Sequence, residues 1–300
     1  MTRIVSLVPA ATEIVAALGR ADQLVGVTHD CTYPQGVLQL PRVTRSTIPS
    51  GSTSGEIDAA VRRAAERGES TFHLDADVLR ELRPDVLLGQ TVCRVCAVTL
   101  EQVPLSMSAP PRVVPLDGET IQGVFADIRR VAETLDLARE GDRVIRELRT
   151  RLERVEERVT GHPRPRVACL EWVDPLFNGG HWVPEQIAIA GGRDILGRAG
   201  ERSREVEWDE VRAAGPEVLV LALCGFDVAR ALADAPQLRD RPGWETLPAV
   251  RRGRVFAVDG SAHFSRPGPR LVEGVEVLGA LFHPDLFPPA DPVGAMAAPA

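Results

Sequence analysis

Short apolar runs alternate along this chain with stretches whose apolar residues recur every three or four positions. Ile4 to Val8 is such a run, suited to a strand buried on both faces. Pro9 ends it, and Ile14, Ala17 and Leu18 then recur at helical spacing over 10–18, before Gly19 closes the turn. Leu24 to Val27 predicts a second strand. Asp85 to Leu88 and Arg112 to Val114 predict two more, with helical stretches between them. Strands alternating with helices predict an α/β fold with parallel sheets.

The second half echoes the first. Pro84-Asp85-Val86-Leu87-Leu88 returns as Pro216-Glu217-Val218-Leu219-Val220, and the run from Arg112 to Asp117-Gly118 returns from Arg254 to Asp259-Gly260. Either pair alone is common turn chemistry around a strand. Two pairs in the same order predict two lobes of similar topology. Between them, Val144, Leu148, Leu152, Val155 and Val159 recur at spacings of three and four in an Arg- and Glu-rich stretch. That pattern predicts one amphipathic helix over 138–159, about 30 Å long at 1.5 Å per residue. The organisation expected is an α/β lobe over 1–118, a helical segment over 119–163, a second α/β lobe over 164–287, and a disordered Pro/Ala-rich tail over 288–300.

Composition narrows the function classes. At 300 residues, 44% hydrophobic and 26% charged, the chain is ordinary globular protein. Lys and Arg total 35 against 42 Asp and Glu, a net charge of −7, which argues against nucleic acid as a partner. No apolar run approaches the roughly 20 residues that span a bilayer, so membrane insertion is not expected. With Met1-Thr2-Arg3 running straight into the first strand, the expectation is a cytoplasmic monomer, or a periplasmic or surface protein if a leader is removed. Five cysteines, two of them spaced as Cys93-x-x-Cys96, do not form the framework of a small secreted disulfide protein.

Several motifs together are similar to one family. The run RIVSLVPAATE from Arg3 to Glu13 resembles its opening strand and helix; Val25 to His29 followed by Tyr33-Pro34 resembles its second strand and loop. Leu82 to Leu87 (LRPDVL), the span from Gly179-Gly180 to Gly191-Gly192, and Phe264 to Arg270 (FSRPGPR) resemble further landmarks. The family is that of the two-lobed, helix-linked (class III) substrate-binding proteins of ABC importers for cobalamin, siderophores and haem. The segment from Arg45 to Gly55 and Cys93 to Ala97 depart from its shortest members and resemble a leaderless cobalamin-binding branch. The resemblance implies two Rossmann-like lobes with parallel sheets joined by one long helix, and a ligand cleft between the lobes. It implies non-catalytic binding of a cobalamin-type corrinoid (vitamin B12), as a transport receptor or corrinoid carrier, with an ABC permease or a corrinoid-using enzyme as partner. Haem or a metal–siderophore chelate is the alternative ligand.

Ligands of open α/β sheets bind beyond the carboxyl ends of the strands. That rule selects Pro9 to Thr12, with Ala10 and Ala11; Thr28 to Tyr33; Gln90 to Cys96; Glu171 to Trp182; and Ser261 to Arg266. A broad, flat ring edged with amides calls for aromatic walls and a few polar tips. Trp172, Trp182 and Phe264 are the candidate walls, with Tyr33 beside them; His181, His263 and Arg266 are the candidate tips. Trp182 is expected exposed in a loop, whereas Phe177, Trp208 and Trp244 read as core. Arg266 has two readings, a ligand contact or a partner within the last helix's approach. Glu13 reads as a structural carboxylate in the first turn of its helix, and His73, His162 and His283 as surface residues.

His29, Cys31, Cys93 and Cys96 follow predicted strands of the first lobe and have three readings. They complete a zinc or iron site; they act as thiol redox groups, on a bound corrinoid or otherwise; or they are buried free cysteines beside a surface histidine. The serines between Gly51 and Gly55 lack the Lys of a phosphate loop and read as a flexible loop. No nucleophile elbow occurs. No catalytic residues are expected.

Overall fold

The computed structural model describes residues 1–90, 110–289 and 293–295. The chain divides into two compact units. The first comprises Met1–Ser52, Glu56–Glu147 and Pro267–Pro269; the second comprises Thr53–Gly55, Leu148–Arg266 and Arg270–Ala300.

In the first unit, β1 (Ile4–Ser6) is followed by α1 (Pro9–Ala17) and β2 (Leu24–Gly26). Pro9 sits in the first helical turn, where its missing N–H costs nothing and its fixed φ suits the helix. A short antiparallel pair, β3 (Thr44–Ser46) and β4 (Phe72–Leu74), brackets α2 (Ser54–Glu66). Ser54 and Gly55 therefore open a helix rather than belonging to a flexible loop. α3 (Ala76–Leu82) starts at Asp75, whose carboxylate accepts the Val78 N–H at 3.0 Å. β5 (Val86–Gln90), β6 (Arg112–Leu116) and α4 (Ile121–Thr134) follow, the last capped by Thr120.

The sheet runs β2–β1–β5–β6, and every pairing in it is parallel. Central β1 is buried along its whole length, as a both-faces-covered strand must be. Val5, Leu7, Val43, Leu79 and Leu87 form one core cluster under it.

The division between the units falls inside α5 (Ala138–Val159), between Glu147 and Leu148. Its stripe of Val144, Leu148, Leu152, Val155 and Val159 is buried at every position, as the spacing predicts.

The second unit contains β7 (Arg166–Val173), β8 (Leu176–Asn178), α6 (Val183–Ile189), β9 (Arg193–Asp194), α7 (Trp208–Ala214), β10 (Val218–Leu221) and α8 (Val228–Asp234). It continues with α9 (Pro248–Arg251), β11 (Val255–Val258), α10 (Gly260–His263), α11 (Leu271–Phe282) and β12 (Val293–Ala295). β7, β10 and β11 are parallel neighbours, and β9 pairs parallel with β7.

Two features of this unit differ from the sequence expectation. The sheet is mixed, because β8 folds back antiparallel on β7 and β12 pairs antiparallel with β11. Val293–Ala295 are thus a strand, where the Pro/Ala-rich composition predicts disorder. His283 is a third correction. Its ring is buried, with Nε2 3.3 Å from the Gly191 carbonyl oxygen, and burial holds its pKa below the ordinary histidine value.

Candidate functional site

Parallel strands present their carboxyl ends together, so the loops there are the natural place for a ligand. In the first unit this region is a hydroxyl and thiol cluster. Thr12 donates to Ser6 Oγ at 2.8 Å, and the buried Cys31 Sγ lies 3.1 Å from Thr12 Oγ1 and 3.4 Å from Thr28 Oγ1. Arg42, which no sequence signal singles out, donates to the carbonyls of Thr28 at 2.8 Å and Cys31 at 3.0 Å and so fixes the loop's path. His29 turns elsewhere: its Nδ1 is 2.8 Å from Thr44 Oγ1, and its Nε2 is 3.4 Å from the Asp30 carboxylate. Tyr33 stands out at 47% exposure.

Ala10 and Ala11 do not fit the role expected of them. They lie inside α1 at 1% and 0% exposure, so their methyl groups belong to the core. Glu13, four residues after Pro9, falls in the second turn rather than the first and is also buried.

In the second unit, β7 ends at Trp172 and Val173. Trp172 is half-buried, and its indole N–H donates to the Asp174 carbonyl at 3.1 Å. Its ring lies 5.3 Å from that of Phe226, in the loop after β10, and the Arg230 guanidinium sits 4.7 Å over the Phe226 ring. The two rings are tilted at 53° to each other, and the three side chains form a continuous run of contacts at the carboxyl ends of β7 and β10. Phe226 and Arg230 were not legible as partners of Trp172, because they lie more than fifty residues away along the chain.

His181 has a left-handed backbone (φ 53°) and is tied by two main-chain bonds, its N–H to Glu201 and its carbonyl to Gly200. Its ring stacks 5.5 Å from that of Trp182. Trp182 itself is only 6% exposed, contrary to the expected loop exposure; its indole N–H donates to the Phe264 carbonyl at 2.9 Å. Phe264 is buried as well. These two aromatic residues pack inside the unit and hold the segment after α10 rather than forming an open wall.

His263 is buried, with Nε2 3.1 Å from the Glu273 carboxylate, which also accepts from Arg270 Nε at 3.1 Å. Burial pushes the Glu273 carboxyl upward, but the hydrogen bond from His263 and the charge of Arg270 outweigh it, so its pKa lies below the ordinary value. Arg266 is buried too and donates from Nη2 to Ser261 Oγ at 3.1 Å.

Cys93 and Cys96 lie outside the described residues. Among the described residues no group of three or more His, Cys, Asp or Glu side chains is placed to hold a metal ion. His29 and Cys31 have different neighbours, Thr44 and Asp30 for the one and Thr12 and Thr28 for the other. Cys169, on β7, is buried: desolvation first, then the charges of Asp194 and Glu171, push its thiol well above the ordinary value.

A family profile described as "Periplasmic binding protein" matches residues 4–262. Over 296 residues the chain is 24% identical to an uncharacterized ABC transporter substrate-binding lipoprotein, YvrC, of Bacillus subtilis, covering 95% of this chain and 81% of that one. It is 22% identical over 277 residues to a vitamin B12-binding protein of Vibrio cholerae, covering 91% and 86%. A solved periplasmic heme-binding protein of Pseudomonas aeruginosa superposes with a TM-score of 0.73 at 23% identity, covering 100% and 99%. These relatives are binding proteins rather than enzymes, and the two-unit α/β fold is theirs. No helix among the described residues is long and apolar enough to cross a membrane.

Proposed function

Because this chain belongs to the periplasmic binding protein family, we propose that it is the substrate-binding component of an ABC importer for a metal chelate, and that the chelate is a cobalamin-type corrinoid. The observation that carries the reading is the contiguous Trp172, Phe226 and Arg230 side chains beyond the carboxyl ends of β7 and β10. A corrinoid is broad and flat, with amide arms at its rim. A half-buried indole supplies a face of matching chemistry, and a guanidinium supplies donors for the rim. The vitamin B12-binding relative supports the same ligand. The permease of such an importer is the partner, and the periplasmic and lipoprotein relatives support work outside the cytoplasmic membrane rather than within the cytoplasm.

Haem is the second reading, and one observation favours it. Tyr33, the single tyrosine of the chain, stands exposed at a strand-end loop, and a phenolate is an established axial ligand of haem iron. His181 is a further candidate ligand. His263 is weaker, since Glu273 already engages its Nε2.

Titration of the purified protein with hydroxocobalamin, cobinamide and haem, followed by visible absorption and calorimetry, separates the readings. The corrinoid reading expects saturable corrinoid binding that Trp172→Ala weakens by about tenfold or more. Silence with both corrinoids, beside tight haem binding abolished by Tyr33→Phe, would overturn it in favour of haem.

A further inference from the structure

One opening of the second unit lies along α5 and α11, apart from Trp172, Phe226 and Arg230. It is a cavity of about 580 Å³ lined by α5, α11 and the segment that follows α11. From α5 it takes Arg151, Arg154, Val155 and Arg158, whose spacing puts them on one face of the helix. From α10, α11 and the turn before α11 it takes His263, Arg270, Glu273, Glu276, Val277 and Ala280. Phe287, Pro288 and Pro289 close one side. Trp172, Trp182 and Arg266 are not part of the lining.

The charges in this cavity do not cancel. Glu276 is engaged bidentately by Arg151, at 2.9 and 2.7 Å. Glu273 is engaged by Arg270 and His263, each at 3.1 Å. That accounts for both carboxylates and leaves two arginines over. Arg158 lies with its guanidinium 5.1 Å over the Phe287 ring, and its one side-chain hydrogen bond among the described residues is a long contact of 3.4 Å to the Leu286 carbonyl. Arg154 makes no ion pair or side-chain hydrogen bond among the described residues and is exposed. Among the described residues, four guanidinium groups therefore face two carboxylates, in a chain whose net charge is −7. The sequence contains no lysine, so the choice of arginine carries no argument; the placement does.

The rest of the lining is apolar: Val155, Val277, Ala280, Phe287, Pro288 and Pro289. A surplus of guanidinium beside an apolar wall fits a ligand with two ends. The head bears anionic oxygens, which a guanidinium fork binds with strong charge-assisted bonds. The body is hydrocarbon, which leaves water on entering. A cavity of this volume falls in the range that holds a small molecule. We propose that the α5–α11 cavity is a second binding site, for a small amphiphilic anion with a phosphate or carboxylate head. It is separate from the Trp172, Phe226 and Arg230 side chains assigned above to the chelate.

Calorimetric titration of the full chain with octyl phosphate, octanoate, octanol and inorganic phosphate tests this. Octyl phosphate or octanoate, or both, should bind, with octanol and inorganic phosphate at least about tenfold weaker because each presents one half of the match. The head group that binds better identifies the class. The double variant Arg154→Gln, Arg158→Gln should lower that affinity about tenfold or more, and added salt should weaken the wild type. Both side chains are exposed, so the variant should keep its melting temperature and its chelate titration. The proposal is overturned if neither amphiphile binds, if inorganic phosphate binds as well as octyl phosphate, or if the double variant binds unchanged. Displacement of octyl phosphate by a saturating chelate would also overturn it, by putting the amphiphile on the strand-end loops. Failure of the corrinoid and haem titrations alone leaves these readouts intact, so the two proposals fail separately.

Discussion

Asp127 keeps its carboxylate entirely out of solvent, on α4, where it accepts the main-chain N–H of Gly118 at 2.9 Å and of Asp117 at 3.1 Å and pairs with Arg130 at 2.7 Å. Burial is the largest influence and lifts its pKa from 3.8 to about 6, against the pull of the Gly118 N–H and Arg130. The folded chain thus holds this proton more tightly than the unfolded chain does. The protonated group costs folding nothing below about pH 4, and the penalty grows as pH rises through about 6, to roughly 3 kcal/mol. Asp127→Asn keeps an oxygen for the Gly118 N–H and removes the titration. Urea unfolding at about pH 4 and about pH 6.5 should therefore show a smaller loss of stability in the variant than in the wild type. Equal losses in the two proteins would rule the argument out.

The residue scale also explains the echoed Asp-Gly pairs. A Cβ on Gly118 would lie 2.6 Å from the main chain of Gly123 and Val124, and one on Gly260 would lie 2.0 Å from the Leu223 carbonyl oxygen. In each unit the strand ends where another stretch of backbone passes too close for any side chain. Read as sequence, these pairs are turn chemistry; the real constraint at Gly118 is the first turn of α4 just downstream, and at Gly260 it is the distant backbone of Leu223, which no local pattern reveals. Gly260→Ala should cost about 3 kcal/mol or more, since backbone must shift, and chemical denaturation measures it. A cost under about 1 kcal/mol would mean that the contact relaxes freely.

At the scale of elements, α6 is the pin of the second unit. Gln186 is fully buried, and its amide donates to the carbonyls of His263 at 3.0 Å and Leu271 at 2.7 Å, while Trp182 beside it holds Phe264. Gly274 lets α11 approach: a Cβ there would meet the Gln186 amide at 2.7 Å and the His263 carbonyl at 2.8 Å. Gln186→Leu fills the same space and leaves both carbonyls without that donor, so it should cost about 2–4 kcal/mol. Amide exchange should speed up across 262–271 more than elsewhere; uniform acceleration would deny α6 this local role.

The elements that sequence reads correctly are those whose pattern is internal. α5 carries its period in its own residues, and its predicted bounds, 138–159, coincide with the helix. The echoes mark equivalent strands, β5 with β10 and β6 with β11, which occupy matching places beside β1 and β7. The misreadings depend on a distant partner. β12 is a strand only because β11 has an edge to fill, and Trp182 is buried because the Phe264 carbonyl, 82 residues on, accepts its N–H. The candidate site was legible to the same degree: its loops follow from strand order, whereas the Trp172–Phe226–Arg230 contacts needed the fold.

For the whole molecule, each unit has its own sheet and buried core, and a bound ligand adds to folding stability only through the residues it touches. A chelate present at about 100 times its dissociation constant should stabilise the native chain by about 2.7 kcal/mol. For a chain of 300 residues that corresponds to a rise in melting temperature of about 4 °C. The rise should appear with the correct chelate class and be absent with free cobalt or iron salts, because the ring rather than the metal contacts the Trp172–Phe226–Arg230 cluster. Amide exchange in the same complex should slow over 171–174 and 225–230, where that cluster is built. A melting-temperature rise with no protection of these stretches would place the ligand elsewhere on the chain. Protection confined to the loop around Tyr33 would assign the binding to the first unit and to axial ligation of an iron.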